Sequence, residues 1–381
     1  MRQEPSNRGL RTARPATNRW VRYVVTLALC VVAAGATPFA QGAKRQAKSA
    51  AAHAARADRR VADQLTRGRD TDKARVIVTV APGAKQRGLL RDLMTRGATV
   101  NEDFTIINAF SAELPMAQLR ALQKDAEVVS ISSDPEVYSM GISSSVSGRA
   151  RNSAYSLQST LGLESTSLTG AGVTVAVIDS GLVLPGTSDK RVITTRDFTT
   201  GLRNPRDVKA SDPYGHGTHV AGLIGEDSDE AKGIAPRVRY VSLRVLDRTG
   251  TGTTSAVIKA LQWAIANRAT YGIDIINLSL GHPVYEPAAT DPLVQAVEAA
   301  VRAGIVVVAS AGNYGTNPTT DEVGFAGISS PGNAPSAITV GAIKTFDTTR
   351  RTDDLIADYS SRGPTLIDGV AKPDIVAPGH R

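Results

Sequence analysis

Three polar residues stand where apolar runs end, and together they could move a proton and hold a developing negative charge. Asp179 closes the β-branched run Val173-Thr174-Val175-Ala176-Val177-Ile178, and Ser180-Gly181 stops it. His216 opens the small-residue stretch His216-Gly217-Thr218-His219-Val220-Ala221-Gly222. Asn313 follows the apolar run Ile305 to Ala309 through Ser310-Ala311-Gly312. A carboxylate can orient an imidazole and stabilise its charged form, and the imidazole can then carry the proton. A side-chain amide can donate to the oxyanion of a tetrahedral intermediate. The three together suit acyl transfer. Each also has a plainer reading. Asp179 could cap or turn the chain, His216 could be satisfied locally, and Asn313 could be a turn residue after Gly312. His216 and His219 could also form a metal pair, but no acidic residue of a zinc-protease helix and no third ligand accompany them.

These residues need a frame that brings strand ends together. The stretch from Val173 to Ile178 suits a buried strand in a parallel sheet covered on both faces. Val220, Leu223 and Ile224 give the segment after His216 an apolar helical face. Further strands are predicted over 238–246, 273–280, 305–309 and 337–343, with helices over 253–268 and 292–303 between them. Strand alternating with helix at this pitch is a doubly wound parallel sheet, an α/β class. Asp179, Asp247, Ser279-Leu280-Gly281 and Gly312-Asn313 then converge at the strands' carboxyl ends, where such sheets place their chemistry. No internal repeat of solenoid type is present.

Ahead of this lies a smaller pattern. Strands are predicted over 75–80, 99–107, 109–114 and 128–131, with helices over 85–95 and after Pro115. The order β-α-β-β-α-β is the ferredoxin-like, α+β arrangement, which by itself fixes no function. Ser139 to Gly148 is Ser/Gly-rich and reads as a boundary open to proteolysis. Residues 1–72 carry 14 of the chain's 44 Lys and Arg but only 5 of its 36 Asp and Glu. The net charge of +8 therefore sits in the leader. The rest is near neutral and offers no basic face for nucleic acid. Arg2 to Arg22, the apolar run Val24 to Ala34 and the small residues Ala34-Gly35-Ala36 or Ala40-Gln41-Gly42 read as an export signal. That run is short for a membrane span, so no stable anchor is expected after cleavage. Cys30, the single cysteine, lies inside it, so the exported chain would hold no disulfide. The segments are accordingly a signal peptide over 1–40, an Ala/Arg-rich linker over 41–73, the small domain over 74–138, a processing linker over 139–155 and the large domain over 156–381.

The motifs around Asp179, His216 and Asn313 resemble those of the subtilisin-like serine proteases, the subtilases. Val175 to Gly181 looks like the family's Asp motif, His216 to Gly222 like its His motif, and Ala311-Gly312-Asn313 like its oxyanion segment. Ser279-Leu280-Gly281 resembles the edge on which substrate backbone pairs as an added strand. Ser360 to Pro364 and Lys372 to Gly379 resemble later landmarks, and residues 74–138 resemble the inhibitory propeptide. The resemblance implies a secreted precursor of a serine endopeptidase that acts on polypeptides, carries its own propeptide in cis and needs no cofactor for chemistry. The acidic loop Glu226-Asp227-Ser228-Asp229-Glu230 is either a solvated loop or, as in some relatives, a structural Ca²⁺ site. Ser329 stands where many relatives have glycine near the floor of the specificity pocket.

The departure is the nucleophile. The family carries it on Gly-Thr-Ser-Met or Gly-Thr-Ser-Ala beyond the Ala-Pro-Gly landmark, and no such motif follows Ala377-Pro378-Gly379 here. Gly186-Thr187-Ser188 has the wrong chain order and reads as a loop. A truncated, inactive protease domain is expected, with the sheet's apolar face left uncovered and the propeptide still attached. The alternatives are a non-catalytic protein that binds peptides in the groove, and a fragment without function.

Overall fold

The computed structural model describes residues 55–83, 86–140, 153–163, 166–184, 190–200, 209–228, 232–317, 319–346 and 348–380. The export signal, Cys30, Gly186-Thr187-Ser188 and residues Asp229 and Glu230 of the acidic loop lie outside them.

The first region builds a sheet in the order β1-β5-β2-β4-β3. Its strands are β1 (Arg56–Ala57), β2 (Lys73–Val80), β3 (Thr99–Phe104), β4 (Ala109–Pro115) and β5 (Val128–Ser133). Helices α1 (Arg59–Arg67), α2 (Gln86–Thr95) and α3 (Met116–Leu122) lie between them. Val61, Leu93, Leu119 and Leu122 pack from these helices onto Val76, Val78, Phe110 and Ile131. Residues 55–72, expected as linker, belong to this fold instead. Asp58 caps α1 by accepting from the Val61 amide at 2.6 Å, Val61 is fully buried, and β1 pairs in parallel with β5. A segment too polar to show periodicity is held by one cap and one apolar anchor.

The larger sheet has eight strands and follows β15-β14-β13-β11-β7-β9-β8, with β16 paired to β14. In chain order these are β7 (Thr174–Asp179), β8 (Val192–Asp197), β9 (Arg239–Arg244), β11 (Ile273–Leu278), β13 (Val306–Ser310), β14 (Ile338–Lys344), β15 (Leu355–Ile356) and β16 (Ile375–His380). Only β15 runs antiparallel to its neighbour. Helices α4 (Ser153–Leu161), α5 (His216–Gly225), α6 (Thr254–Ala266), α7 (Arg268–Tyr271) and α8 (Pro292–Arg302) accompany it. β7 is buried along its whole length, which is why its residues need no polar alternation. It lies between β9 and β11, so the connections depart to opposite sides at its carboxyl end. That is the topological switch point, and Asp179 stands on it.

The N-terminal sheet turns its other face to α6. Ile77, Phe104, Ala109 and Val137 join the same apolar cluster as Val257, Ile258 and Leu261. Lys259 pairs with Glu102, and the Gln262 amide donates to the Asp103 carbonyl at 3.1 Å. On the large sheet, register places Val306, Val308, Ile338, Val340 and Ile375 on one face. Val306, Ile338 and Ile375 are 46%, 39% and 54% exposed, so this end of the face is uncovered by the described residues.

Candidate active site

Asp179 and His216 meet at the switch point. His216 Nδ1 lies 2.7 Å from Asp179 Oδ1. A carboxylate only accepts, so Nδ1 carries the proton and Nε2 is the ring's basic atom. Asp179 is fully buried and His216 nearly so. The approach depends on a missing side chain. A Cβ on Gly217 would fall 2.1 Å from the Gly181 carbonyl oxygen and 3.1 Å from Asp179 Cβ, so only glycine lets α5 begin this close to β7. Burial opposes charging of His216, but the hydrogen bond and negative charge of Asp179, joined by the charge of Asp212, win and hold its pKa above the ordinary value. The fold therefore keeps the full benefit of the charged pair below about pH 6.5 and loses it as the pH rises through the higher folded value.

Asp212 was not singled out in the sequence, yet it organises both ends of this pair. Its Oδ1 accepts from Ser180 Oγ and from the Gly215 amide, both at 2.8 Å. Its Oδ2 accepts from the Thr218 amide at 2.8 Å and Thr218 Oγ1 at 2.7 Å. Ser180 Oγ in turn accepts from the Gly217 amide at 3.0 Å. Burial works against the carboxylate, but these donors together pull its pKa below the ordinary range. One carboxylate thus ties the end of β7 to the start of α5. Asp212→Ala is expected to cost about 1–3 kcal/mol through donors left unpaired, and to lower the His216 pKa. Thermal unfolding and an NMR titration of the ring would read both.

The remaining residues line a groove that the chain itself fills. Strand β6 (Glu136–Ser139) lies between β10 (Thr251–Thr253) and β12 (Leu280–Gly281), antiparallel to both. Ser139 donates to the Gly250 carbonyl at 3.1 Å, and the Met140 amide donates to the Ser279 carbonyl at 2.9 Å. Asn313 Nδ2 donates to the Met140 carbonyl oxygen at 3.0 Å. Ser279, Leu280 and Gly281 thus border an added strand, and Asn313 stands at its last carbonyl. Gly281 marks the side-chain site for Met140. A Cβ there would sit 3.1 Å from both Met140 Cε and Ser329 Oγ. The Asn313 loop is itself held. Ser361 donates its amide to the Gly312 carbonyl at 2.9 Å, and its hydroxyl accepts from the Tyr314 amide at 3.0 Å.

His219 is exposed, one turn along α5, and takes no part in this arrangement. Asp247 closes a turn by accepting from the Thr249 amide and hydroxyl. Among the described residues no three His, Cys, Asp or Glu side chains are disposed around a common metal position. None of the described helices is long and apolar enough to cross a membrane.

Comparison with known proteins points one way. The chain is 39% identical over 221 residues to the serine protease AprX of Bacillus subtilis, a match covering 56% of this chain and 47% of that protein. It is 33% identical over 300 residues to subtilisin E of the same organism, covering 78% of this chain and 67% of that one. The matched stretch is therefore about half the length of the first relative and two thirds of the second. Fervidolysin from Fervidobacterium pennivorans, a keratinolytic enzyme related to subtilisin, superposes with a TM-score of 0.61 over 86% of this chain and 49% of its own. At 18% identity that likeness concerns the fold. The subtilase family model matches residues 170–381, a span that holds Asp179, His216 and Asn313, and the chain belongs to the subtilase family.

Proposed function

We propose that these residues are the precursor form of a serine endopeptidase, in which Asp179 orients His216, His216 shuttles the proton and Asn313 stabilises the oxyanion. Residues 55–138 act as an inhibitory propeptide, and Glu136 to Met140 occupies the groove as a substrate or product strand would. The observation that carries the reading is the Met140 carbonyl. It receives the Asn313 amide at 3.0 Å while the Met140 amide is pinned to Ser279, so the bond from Met140 to Gly141 is the one presented for attack. Polypeptides are the substrate class, recognised by backbone pairing with β10 and β12.

The attacking hydroxyl is supplied by a Gly-Thr-Ser segment of the kind the family carries after its Ala-Pro-Gly landmark. A polypeptide of residues 1–381 alone is therefore expected to resist labelling by a fluorophosphonate and to stay uncut. Joined to the Gly-Thr-Ser segment of another subtilase, it is expected to label and to cleave itself. Labelling of residues 1–381 alone, at a serine within the groove, would overturn this assignment. A groove filled by backbone bonds also favours a second reading, peptide binding by strand addition without turnover. That reading gains if the joined form binds peptides but never labels.

The pocket beside Gly281 supports a preference for an unbranched side chain such as Met140. Ser329 is buried there, with its hydroxyl 3.3 Å from the Ala311 carbonyl. Ser329→Gly in the joined form is expected to raise kcat/KM for peptides with phenylalanine at the position of Met140 by about 10- to 100-fold relative to methionine. An unchanged ratio would remove Ser329 from specificity.

A further inference from the structure

A second cluster of ionisable groups lies where the N-terminal domain meets the large domain, away from His216. Asp58 and Asp134 enter from the N-terminal side, and Glu286, Asp291 and His282 from the segment between β12 and α8. All five are more than nine-tenths buried. Asp58, His282, Glu286 and Asp291 line a shared cavity of about 10 Å³, room for a single water. Among the described residues none of these four carboxylates has a lysine or arginine in ion-pair contact, although Arg75 acts on Asp134 from further off.

Three of the carboxylates are satisfied by uncharged donors. Asp58 accepts from the Val61 and Ser133 amides, both at 2.6 Å. Asp134 accepts from the Ser255 amide and hydroxyl, both at 2.8 Å, and so fastens the N-terminal domain to the start of α6. Asp291 caps α8 through the Leu293 and Val294 amides. Glu286 is left facing Asp291 and Asp58, while the nearby Ser132 hydroxyl is buried without a partner. His282 acts on Asp134, lowering its pKa against the effect of burial. Its Nδ1 lies 2.7 Å from the Pro283 carbonyl and its Nε2 is buried without a partner, while its ring stacks on Tyr285 at 5.5 Å. Arg60 lies over the Tyr285 ring at 5.1 Å.

We propose that docking of the N-terminal domain takes up a proton at Glu286, so that the groove is held occupied at acid pH and freed as the pH rises. This rests on the reading of residues 55–138 as the inhibitory domain. Burial first, then the charges of Asp291 and Asp58, push Glu286 up to about 8 in the docked state. Burial raises Asp134 as well, against the Ser255 hydrogen bonds. Once the domain separates, water reaches Glu286 and its pKa returns to about 4.3. The sign follows. A carboxyl whose docked pKa is raised favours docking fully below the free value and loses that contribution as pH climbs to the docked value. Docking should weaken by about tenfold per pH unit for Glu286 alone between roughly pH 5 and 8.

Hydrogen exchange on the polypeptide of residues 1–381 tests this. The Ser139 and Met140 amides report the groove, and the Ala176 amide in β7 serves as the control. Protection is taken relative to the intrinsic rate at each pH. Protection of Ser139 and Met140 is expected to fall steeply from pH 5 to 8 while Ala176 stays flat. Glu286→Gln should remove about tenfold per pH unit of that fall and leave the two amides at least tenfold better protected at pH 8. Equal slopes with and without Glu286, or protection independent of pH in the unsubstituted chain, would overturn the proposal. Amides that are unprotected at every pH would instead refute occupation of the groove, so the two failures are distinguishable.

Discussion

Replacing Asp179 with asparagine is expected to lower turnover by the joined, nucleophile-bearing form about 10⁴-fold, the size of the same change in a Ser-His-Asp triad. The cause is the tautomer. Asp179 Oδ1 can only accept from His216 Nδ1 at 2.7 Å, so Nε2 is left basic. An asparagine amide can present its own N–H to Nδ1, which then accepts, and the proton moves to Nε2 where a base is needed. The same change removes the charge that raises the His216 pKa, so the ring should titrate lower. With aspartate present, activity should rise with pH through a value above about 6.5, because only the neutral ring can take a proton. A proton NMR titration of the ring and a pH–rate profile give the two readings. An unchanged His216 pKa in the asparagine variant would contradict the coupling.

Asn313→Ala is expected to slow cleavage after Met140 by about 10²- to 10³-fold, the range found for the equivalent loss in subtilisin, a relative of this chain. Occupation of the groove should hardly change. The strand Glu136–Ser139 keeps its pairing with β10 and β12, and the Met140 amide keeps Ser279. The side-chain amide contributes one bond out of this set in the resting state, the bond to the Met140 carbonyl oxygen, on which the proposed reaction would build charge. Cleavage followed by mass spectrometry, with exchange at Ser139 as the binding readout, separates the two effects. A loss of protection equal to the loss of rate would make Asn313 a docking residue and no more.

How far these residues are legible before folding depends on whether their neighbours in sequence are also their neighbours in space. The placement of Asp179 and His216 is legible because each lies in a contiguous stretch with matching local needs: a buried strand end, and glycine at 217 for the close helix start. Asn313 is legible for the same reason. Glu136 to Met140 is not, because its strand character is imposed by β10 and β12, more than a hundred residues later, and its composition runs into a Ser/Gly-rich stretch. β10 is hidden within a turn-rich loop for the mirror-image reason. Asp212 is not legible, because its four donors are gathered only when β7 and α5 meet. The buried acidic cluster is scattered over positions 58, 134, 286 and 291, so no window of sequence contains it. The strand β8 and the strand β16 carry mixed or Pro-interrupted patterns, and both take their form from a neighbouring strand.

Which peptide bond the groove presents decides between cleavage after Met140 and any other product. N-terminal sequencing of the joined form after self-cleavage should return Gly141 as the first residue of the large fragment, in step with Asn313 standing at the Met140 carbonyl. An active joined form that begins at any other residue would contradict it.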